Sequence, residues 1–331
     1  MKQRWRAGAA LLALTMAAGL AGCGNQSAQQ SQSGGEKDSY VVGIVQLAPH
    51  DALDQATQGF QDAVKEALGD KVTFDFKNAA NDPATCATIA NGFVSAEVDL
   101  IMANATPAVQ AAAAATGDIP VLGTSVTEYG VAFGIKDFSG TVGGNVSGTS
   151  DLAPLDQQAA MIQTWCPDAK TVGLLYCSGE PNSQYQVDTV QGYLEEMGYT
   201  CTQYPFSDSN DIAAVTTTAA ANSDVIYVPT DNTVATNASI VDNICRPAKI
   251  PVFAGEQGIC AGCGVATLSI SYYDLGVTTG EMAVKILTGQ ADISQMPIEY
   301  APQFTPMYNA EICKDLGLTP PEGYTAIEAD G

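Results

Sequence analysis

Short runs of β-branched and aliphatic residues recur along the chain, each closed by turn formers. Between them, apolar side chains return every three or four positions. Four runs begin at Val41 (Val-Val-Gly-Ile-Val-Gln-Leu), Val72 (Val-Thr-Phe-Asp-Phe), Val98 (Val-Asp-Leu-Ile-Met) and Ile119 (Ile-Pro-Val-Leu), and four more at Thr171, Tyr199, Asp224 and Ile250. Strand-like runs alternating with helical spacing predict βαβ units and parallel sheets. The first helix is carried by Leu53, Ala56, Phe60, Ala63, Val64 and Ala67, with Asp51 as its expected N-cap and Asp54 three residues on. Tyr185 to Met197 reads as another helix stopped by Gly198. The third helix of each half is built from small residues, near Pro107 to Thr116 and Val234 to Asn243.

The two halves share one rhythm, so the fold class is α/β, with two doubly wound parallel-sheet lobes in tandem. The Gly- and Ser-rich stretch Ser139 to Ser150 is the expected crossover, with a second near Ser269 to Tyr272. After that second crossing the helix Asp274 to Leu287 must find a place to pack. The expected boundaries are therefore 40–148 for lobe one, with 273–290 returning to it, and 149–272 for lobe two, with part of 291–331. A ligand cleft then lies between the carboxyl ends of the two sets of strands, and a hinge closes it.

The first 39 residues break this pattern. Lys2, Arg4 and Arg6 precede an apolar run from Ala7 to Leu20, which ends in Leu20-Ala21-Gly22-Cys23. This is the form of a cleavable secretory signal, too short to span a bilayer comfortably. Its last four residues resemble a bacterial lipobox, which implies cleavage after residue 22 and a lipid on Cys23. Residues 23–39, rich in Gln, Ser and Gly, cannot bury enough apolar surface to order themselves, so they read as a flexible tether. About 290 residues remain, enough for two packed lobes. The chain is expected to sit outside the cytoplasm, anchored by lipid and monomeric, at the outer cell face or in the periplasm. The net charge of -23 becomes more negative still when the leader's three cations leave. Such a surface repels phosphate backbones, so nucleic acid is not an expected partner.

Eight cysteines remain after Cys23: Cys86, Cys166, Cys177, Cys201, Cys245, Cys260, Cys263 and Cys313. An even number in an exported chain suggests disulfides, although eight thiols allow 105 pairings. Cys166 and Cys201 precede or open adjacent strands and form the preferred pair, with Cys245 to Cys260 or Cys263 second. Cys260-Ala261-Gly262-Cys263 leaves open a thiol–disulfide or metal-binding protein. His50 is the lone histidine, so a Ser-His-Asp or Cys-His catalytic set would have to use it. No nucleophile elbow, phosphate loop or dinucleotide fingerprint follows a strand. The chain thus reads as a binding protein rather than an enzyme, and no cofactor is expected.

Candidate ligand contacts lie where strands end: Gln46, His50, Asn81, Thr106, Ser125 and Thr127 in lobe one, and Glu180, Asn182, Ser183, Asp231, Asn232 and Glu256 in lobe two. Thr106 stands before Pro107, a favourable first helical residue, so its hydroxyl and the nearby amides suit an anion. Ser125 and Thr127 can add hydroxyl donors. Asp231 can pair with an ammonium or simply cap a helix. Hydroxyls from one lobe and a carboxylate from the other outline a site for an amino-acid zwitterion.

Six segments together resemble the signature of one family. They are Ser178-Gly179-Glu180-Pro181-Asn182-Ser183, Tyr227-Val228-Pro229-Thr230-Asp231-Asn232, Ile250-Pro251-Val252-Phe253-Ala254-Gly255, His50 with Ala52-Leu53-Asp54, Ala105-Thr106-Pro107-Ala108, and Tyr272-Tyr273-Asp274-Leu275-Gly276. The family is that of ABC-transporter solute-binding proteins that include the tryptophan- and tyrosine-associated type, and the resemblance runs from Tyr40 to Leu318. It implies a type I periplasmic-binding fold, a membrane permease with a cytoplasmic ATPase, and a small amino acid-like ligand, with Trp, Tyr or Phe favoured. Cys177, Asp51 in place of a proline, and the Cys260–Cys263 segment depart from the pattern. Tyr129, Phe133, Tyr185 and Tyr272 are the candidate ring-stacking partners. A sensor subunit that presents ligand to a signalling receptor would share all these features.

Overall fold

The computed structural model describes residues 37–327, so the expected leader (1–22), the lipidated Cys23 and nearly all of the tether (23–39) lie outside the described residues. The first half alternates β1 (Tyr40–Gln46), α1 (Asp51–Leu68), β2 (Val72–Asn78), α2 (Pro83–Ser95), β3 (Leu100–Asn104), α3 (Thr106–Ala115), β4 (Val121–Val126), α4 (Tyr129–Phe133) and β5 (Val146–Ser150). Then come α5 (Leu155–Trp165), β6 (Thr171–Cys177), α6 (Pro181–Glu196), β7 (Thr200–Phe206), α7 (Ile212–Asn222), β8 (Val225–Val228), α8 (Asn232–Thr236), α9 (Ala238–Ala248), β9 (Val252–Ala254), α10 (Gln257–Cys263) and β10 (Ala266–Ser269). The described residues close with α11 (Tyr272–Leu287), β11 (Glu299–Tyr300), β12 (Thr305–Tyr308), α12 (Ala310–Leu316) and β13 (Thr325–Ala326).

Lobe one holds a parallel sheet in the order β11-β5-β4-β3-β1-β2, and lobe two a sheet in the order β13-β12-β10-β9-β8-β6-β7. In the second sheet β10 and β12 pair antiparallel and the other pairs are parallel. In each sheet the order reverses beside the lobe's first strand, β1 or β6, and this leaves a crevice at the strands' carboxyl ends. Helices cover both faces of the sheets, so β3 and β4 are buried at every residue. The strand β5 runs across the 148/149 boundary expected from the sequence and stays with β4 and β11 as far as Ser150.

After β10 the chain returns to lobe one, where α11 lies along α1. Glycines make this close approach possible: a Cβ on Gly276 would stand 2.0 Å from the Ala56 carbonyl oxygen, and one on Gly59 would stand 2.1 Å from that of Tyr273. Two local expectations change. The N-cap of α1 is His50, extended at φ -159° and ψ 159°, and Asp51 is the first helical residue, where its charge favours the helix N-terminus. The expected helix Val234 to Asn243 is broken at Asn237 into α8 and α9. There the Asn237 side-chain amide donates to the Thr233 carbonyl, which a continuous helix would have given to the Asn237 backbone N–H.

All eight thiols from Cys86 to Cys313 are free, against the expected Cys166–Cys201 bridge and the second choice of Cys245 with Cys260 or Cys263. They serve as small apolar side chains: Cys177, Cys245, Cys260 and Cys263 pack among aliphatic residues under the second sheet. Burial pushes Cys245 up to about 12 and Cys166 and Cys201 up to about 11. Burial raises Cys260 and Cys263 as well, so the thiolate that redox exchange or metal binding requires is suppressed.

Candidate functional site

The carboxyl ends of the two sheets face each other across a small cavity. Lobe one contributes His50, Leu53, Ser125 and Thr127, while lobe two contributes Asn182, Asp231, Asn232 and Glu256. Asp151 and Tyr272 come from the two crossings. Its volume is about 10 Å³, room for roughly one water. Beyond Ala52, Glu256 and Tyr272, which line both, lies a larger cavity of about 660 Å³ whose walls carry Asp51, Asp54, Glu256 and Glu311.

The lobe-one wall is under backbone strain. Ala105 has φ 91° and Ser125 has φ 54°, both positive without being glycine, and the two strand ends are tied by Ala105 N–H to the Thr124 carbonyl at 3.0 Å. Such strain persists where the surroundings hold it and gathers at binding sites. These turns leave the Ser125 and Thr106 hydroxyls buried and without a partner. Thr106 opens α3 ahead of Pro107, so unused backbone N–H groups lie at the same helix end.

Carboxylates line much of the cavity, Asp231 and Glu256 from lobe two and Asp151 beside Thr127 at the end of β5. Asp231 accepts from the Cys177 N–H at 2.7 Å and the Val234 N–H at 2.8 Å, with the Ser183 hydroxyl also bonded to it. Burial and the neighbouring Glu180 push it up to about 8. Glu256 caps α10 through the Gly258 and Ile259 N–H groups, and burial raises it too. Asp151 accepts from the Tyr272 hydroxyl at 3.0 Å, with the Thr127 hydroxyl also bonded to it, while its Oδ1 has no partner; burial raises it as well. The Asn182 side-chain oxygen is likewise buried and unpaired. Three desolvated carboxylates thus surround the cavity, and His50 is the one side chain on its wall able to carry positive charge. An ammonium group placed there would meet the unpaired Asp151 and Asn182 oxygens, and its carboxylate partner would meet the unpaired Ser125 hydroxyl.

Other sequence candidates lie elsewhere. Gln46 is tied into the β1–α1 junction by Asp54, the Ala48 carbonyl and Thr57, at 2.6 to 2.8 Å, and does not reach the wall. Asn81 bonds to Thr233 across the cleft, Ser183 supports Asp231, and Glu180 is saturated by donors around α8. Among the candidate rings, Tyr129 is core, its hydroxyl on the Thr149 carbonyl, and Phe133 stacks on it. Tyr185 packs against the lobe-two core, and Tyr272 alone of the four lines the cavity. Sequence reasoning missed Asp151. It directly follows β5, so the strand-end rule would have found it had the polar, small-residue run Val146–Ser150 been read as a strand.

Comparison with known proteins assigns the family. Residues 41–329 match the family model described as ABC transporter substrate binding protein. A "Tyrosine-binding protein" of Clostridioides difficile (strain R20291) is 34% identical over 306 residues, 90% of this chain and 88% of the relative. The structure of an ABC domain in complex with L-Trp from Streptococcus pneumonia is 33% identical with a TM-score of 0.83, covering 87% of this chain and 100% of that one. A ligand-free, open structure of a substrate binding protein with adhesive properties from Clostridium difficile is 38% identical with a TM-score of 0.68, covering 88% and 100%. With two parallel-sheet lobes around a cleft and a family match along nearly its whole described length, the chain belongs to the ABC transporter substrate-binding proteins of the type I periplasmic-binding fold, which work outside the cytoplasm.

Proposed function

We propose that this substrate-binding protein captures an aromatic α-amino acid in the cleft and delivers it to its ABC importer. The observation that carries this reading is the set of buried unpaired groups at the strand ends: the Ser125 hydroxyl and the oxygens of Asp151 and Asn182, which line the cavity, and the Thr106 hydroxyl at the neighbouring strand end, which does not. A zwitterion satisfies both sets at once. Its carboxylate goes to the hydroxyls and the α3 N-terminus, and its ammonium to Asp151 with Asp231 and Glu256 behind it. The names of two relatives more than 30% identical, one tyrosine-binding and one bound to L-Trp, support an aromatic side chain. The larger cavity beyond Tyr272 is the space available for a ring.

Ligand enters the open form, meets one lobe, and is enclosed when the other swings over it; the closed form is what the permease reads. No bond of the ligand is made or broken. Cys23 carries the lipid that keeps a monomeric receptor beside its permease. A thermal-shift screen with all twenty amino acids, sugars and nucleosides tests the reading, since ligand at one hundred times its Kd adds about 2.7 kcal/mol to the folded state. Shifts with L-Trp, L-Tyr or L-Phe support it. Shifts confined to sugars or nucleosides overturn it.

A further inference from the structure

Two side-chain hydrogen bonds bridge the cleft. Asn81 Nδ2 donates to Thr233 Oγ1 at 3.1 Å, and His50 Nε2 meets Asn232 Oδ1 at 3.2 Å. An amide oxygen only accepts, so His50 is the donor in this contact. The two lobe-two partners are neighbours at the start of α8, and both give their remaining donors to a single carboxylate. Asn232 Nδ2 bonds to one oxygen of Glu180 at 2.7 Å, and Thr233 Oγ1 bonds to the other at 2.8 Å. Backbone N–H groups of the same two residues reach these oxygens at 3.1 and 2.9 Å, and Asn182 Nδ2 adds a fifth bond at 3.2 Å. Glu180 is buried yet does not line the cavity.

We infer that Glu180 is the anchor of an interlobe clasp, a positioning residue that sets how firmly the lobes stay closed without touching the ligand. The chemistry is directional. Thr233 has one hydroxyl proton and commits it to Glu180, so only lone pairs face lobe one, and these call for the Asn81 amide. The Asn232 amide, polarised by the carboxylate on its N–H side, presents a stronger acceptor to His50. Lobe one is shaped to meet them. Ala80 and Asn81 both have positive φ, 53° and 62°, and the Asn81 backbone N–H is pinned to the Leu47 carbonyl at 2.7 Å, which fixes its side chain toward α8.

The inference deepens the receptor reading, and its test separates the two. Small-angle scattering of ligand-free protein is compared for wild type, Asn81→Gly and Glu180→Gln, alongside stopped-flow dissociation of L-Trp and L-Tyr. Glycine tolerates the positive φ, so Asn81→Gly deletes one bridge and leaves the turn intact. Loss of one bridge lowers the closed-to-open ratio about 2- to 10-fold. The variants then show a larger radius of gyration and faster dissociation, and the apparent Kd rises as the closed fraction falls. Preference between L-Trp and L-Tyr stays as in wild type. Glu180→Gln turns an amide toward its own donors, so it loosens both bridges, and combining it with Asn81→Gly gives less than the sum of the two effects. Scattering identical to wild type in Asn81→Gly, with unchanged dissociation, overturns the clasp; so does a changed preference between the two amino acids. Should neither amino acid bind wild type, the ligand reading fails while scattering alone still decides the clasp.

Discussion

Replacing Asp151 with Asn separates its two tasks, because it moves stability and affinity in opposite directions. Asp151 is a carboxylate at 4% exposure with one oxygen on the Tyr272 hydroxyl and the other unpaired, and burial raises its pKa. In the ligand-free protein that charge is a liability. The amide keeps the shape and the bond from Tyr272 while removing the desolvated charge, which stabilises the empty fold by about 1–3 kcal/mol. For a chain of this size each kcal/mol corresponds to roughly 2–4 °C in Tm. With an α-amino acid bound, the same carboxylate faces an ammonium group. Truncating one partner of a buried, hydrogen-bonded charge pair costs about 2–5 kcal/mol, or roughly 30- to 4000-fold in Kd. Differential scanning calorimetry of the empty protein at pH 8 gives the first quantity and titration calorimetry with L-Trp gives the second. A variant less stable when empty, or one that binds L-Trp as tightly as wild type, refutes the assignment of Asp151 to the ammonium.

Three further outcomes are expected. Burial raises Asp151, Asp231 and Glu256, so the folded state keeps protons that the unfolded chain has released and ligand-free stability falls as pH rises, the Asp231 share being lost by about pH 8. Because an ammonium needs the charged forms, the Tm gain from L-Trp grows over the same range; calorimetry at pH 5 and pH 8 checks both slopes, and a gain that shrinks toward pH 8 contradicts them. Gly276→Ala sets a methyl 2.0 Å from the Ala56 carbonyl oxygen, forcing α11 off α1. Overpacking of this kind costs about 1–3 kcal/mol, read as a lower Tm with the order of ligand preference unchanged. Joint replacement of Cys260 and Cys263 by Ser places two hydroxyls in an apolar cluster and lowers Tm, yet leaves L-Trp affinity within about twofold, since neither thiol lines the central cavity. Loss of binding at unchanged Tm would return weight to a thiol-dependent function.

The lobes were legible because their central strands are apolar runs bounded by turn residues, and a parallel sheet covered on both faces requires that pattern. Val146–Ser150 carries a different signal: Val-Ser-Gly-Thr-Ser is small and polar, because its side chains join a buried hydroxyl ladder from Thr124 through Thr149 to Thr279. That concealed the strand, and with it Asp151. Glu180 was visible as a strand-end residue, but its role depends on α8, brought beside it by the fold 52 and 53 residues along the chain. The expected disulfides failed because cysteine parity reports on compartment, whereas pairing depends on geometry within a core that these thiols fill as apolar side chains. The sequence leaves Asp231 as either a cap or a ligand group. It caps α8 and lines the cavity as well, a combination that no local pattern distinguishes.

The most direct test of an amino-acid cleft is titration calorimetry at pH 8 with three ligands that share one ring: L-tryptophan, tryptamine and indole-3-propionate. Tryptamine lacks the carboxylate that Ser125 and Thr106 would hold, and indole-3-propionate lacks the ammonium that Asp151 would hold. The account predicts tight binding of L-tryptophan and a loss of at least a hundredfold for each analogue, with indole-3-propionate the weaker because it leaves the carboxylates unpaired. Equal binding of all three, or indole-3-propionate binding more tightly than the amino acid, would contradict it.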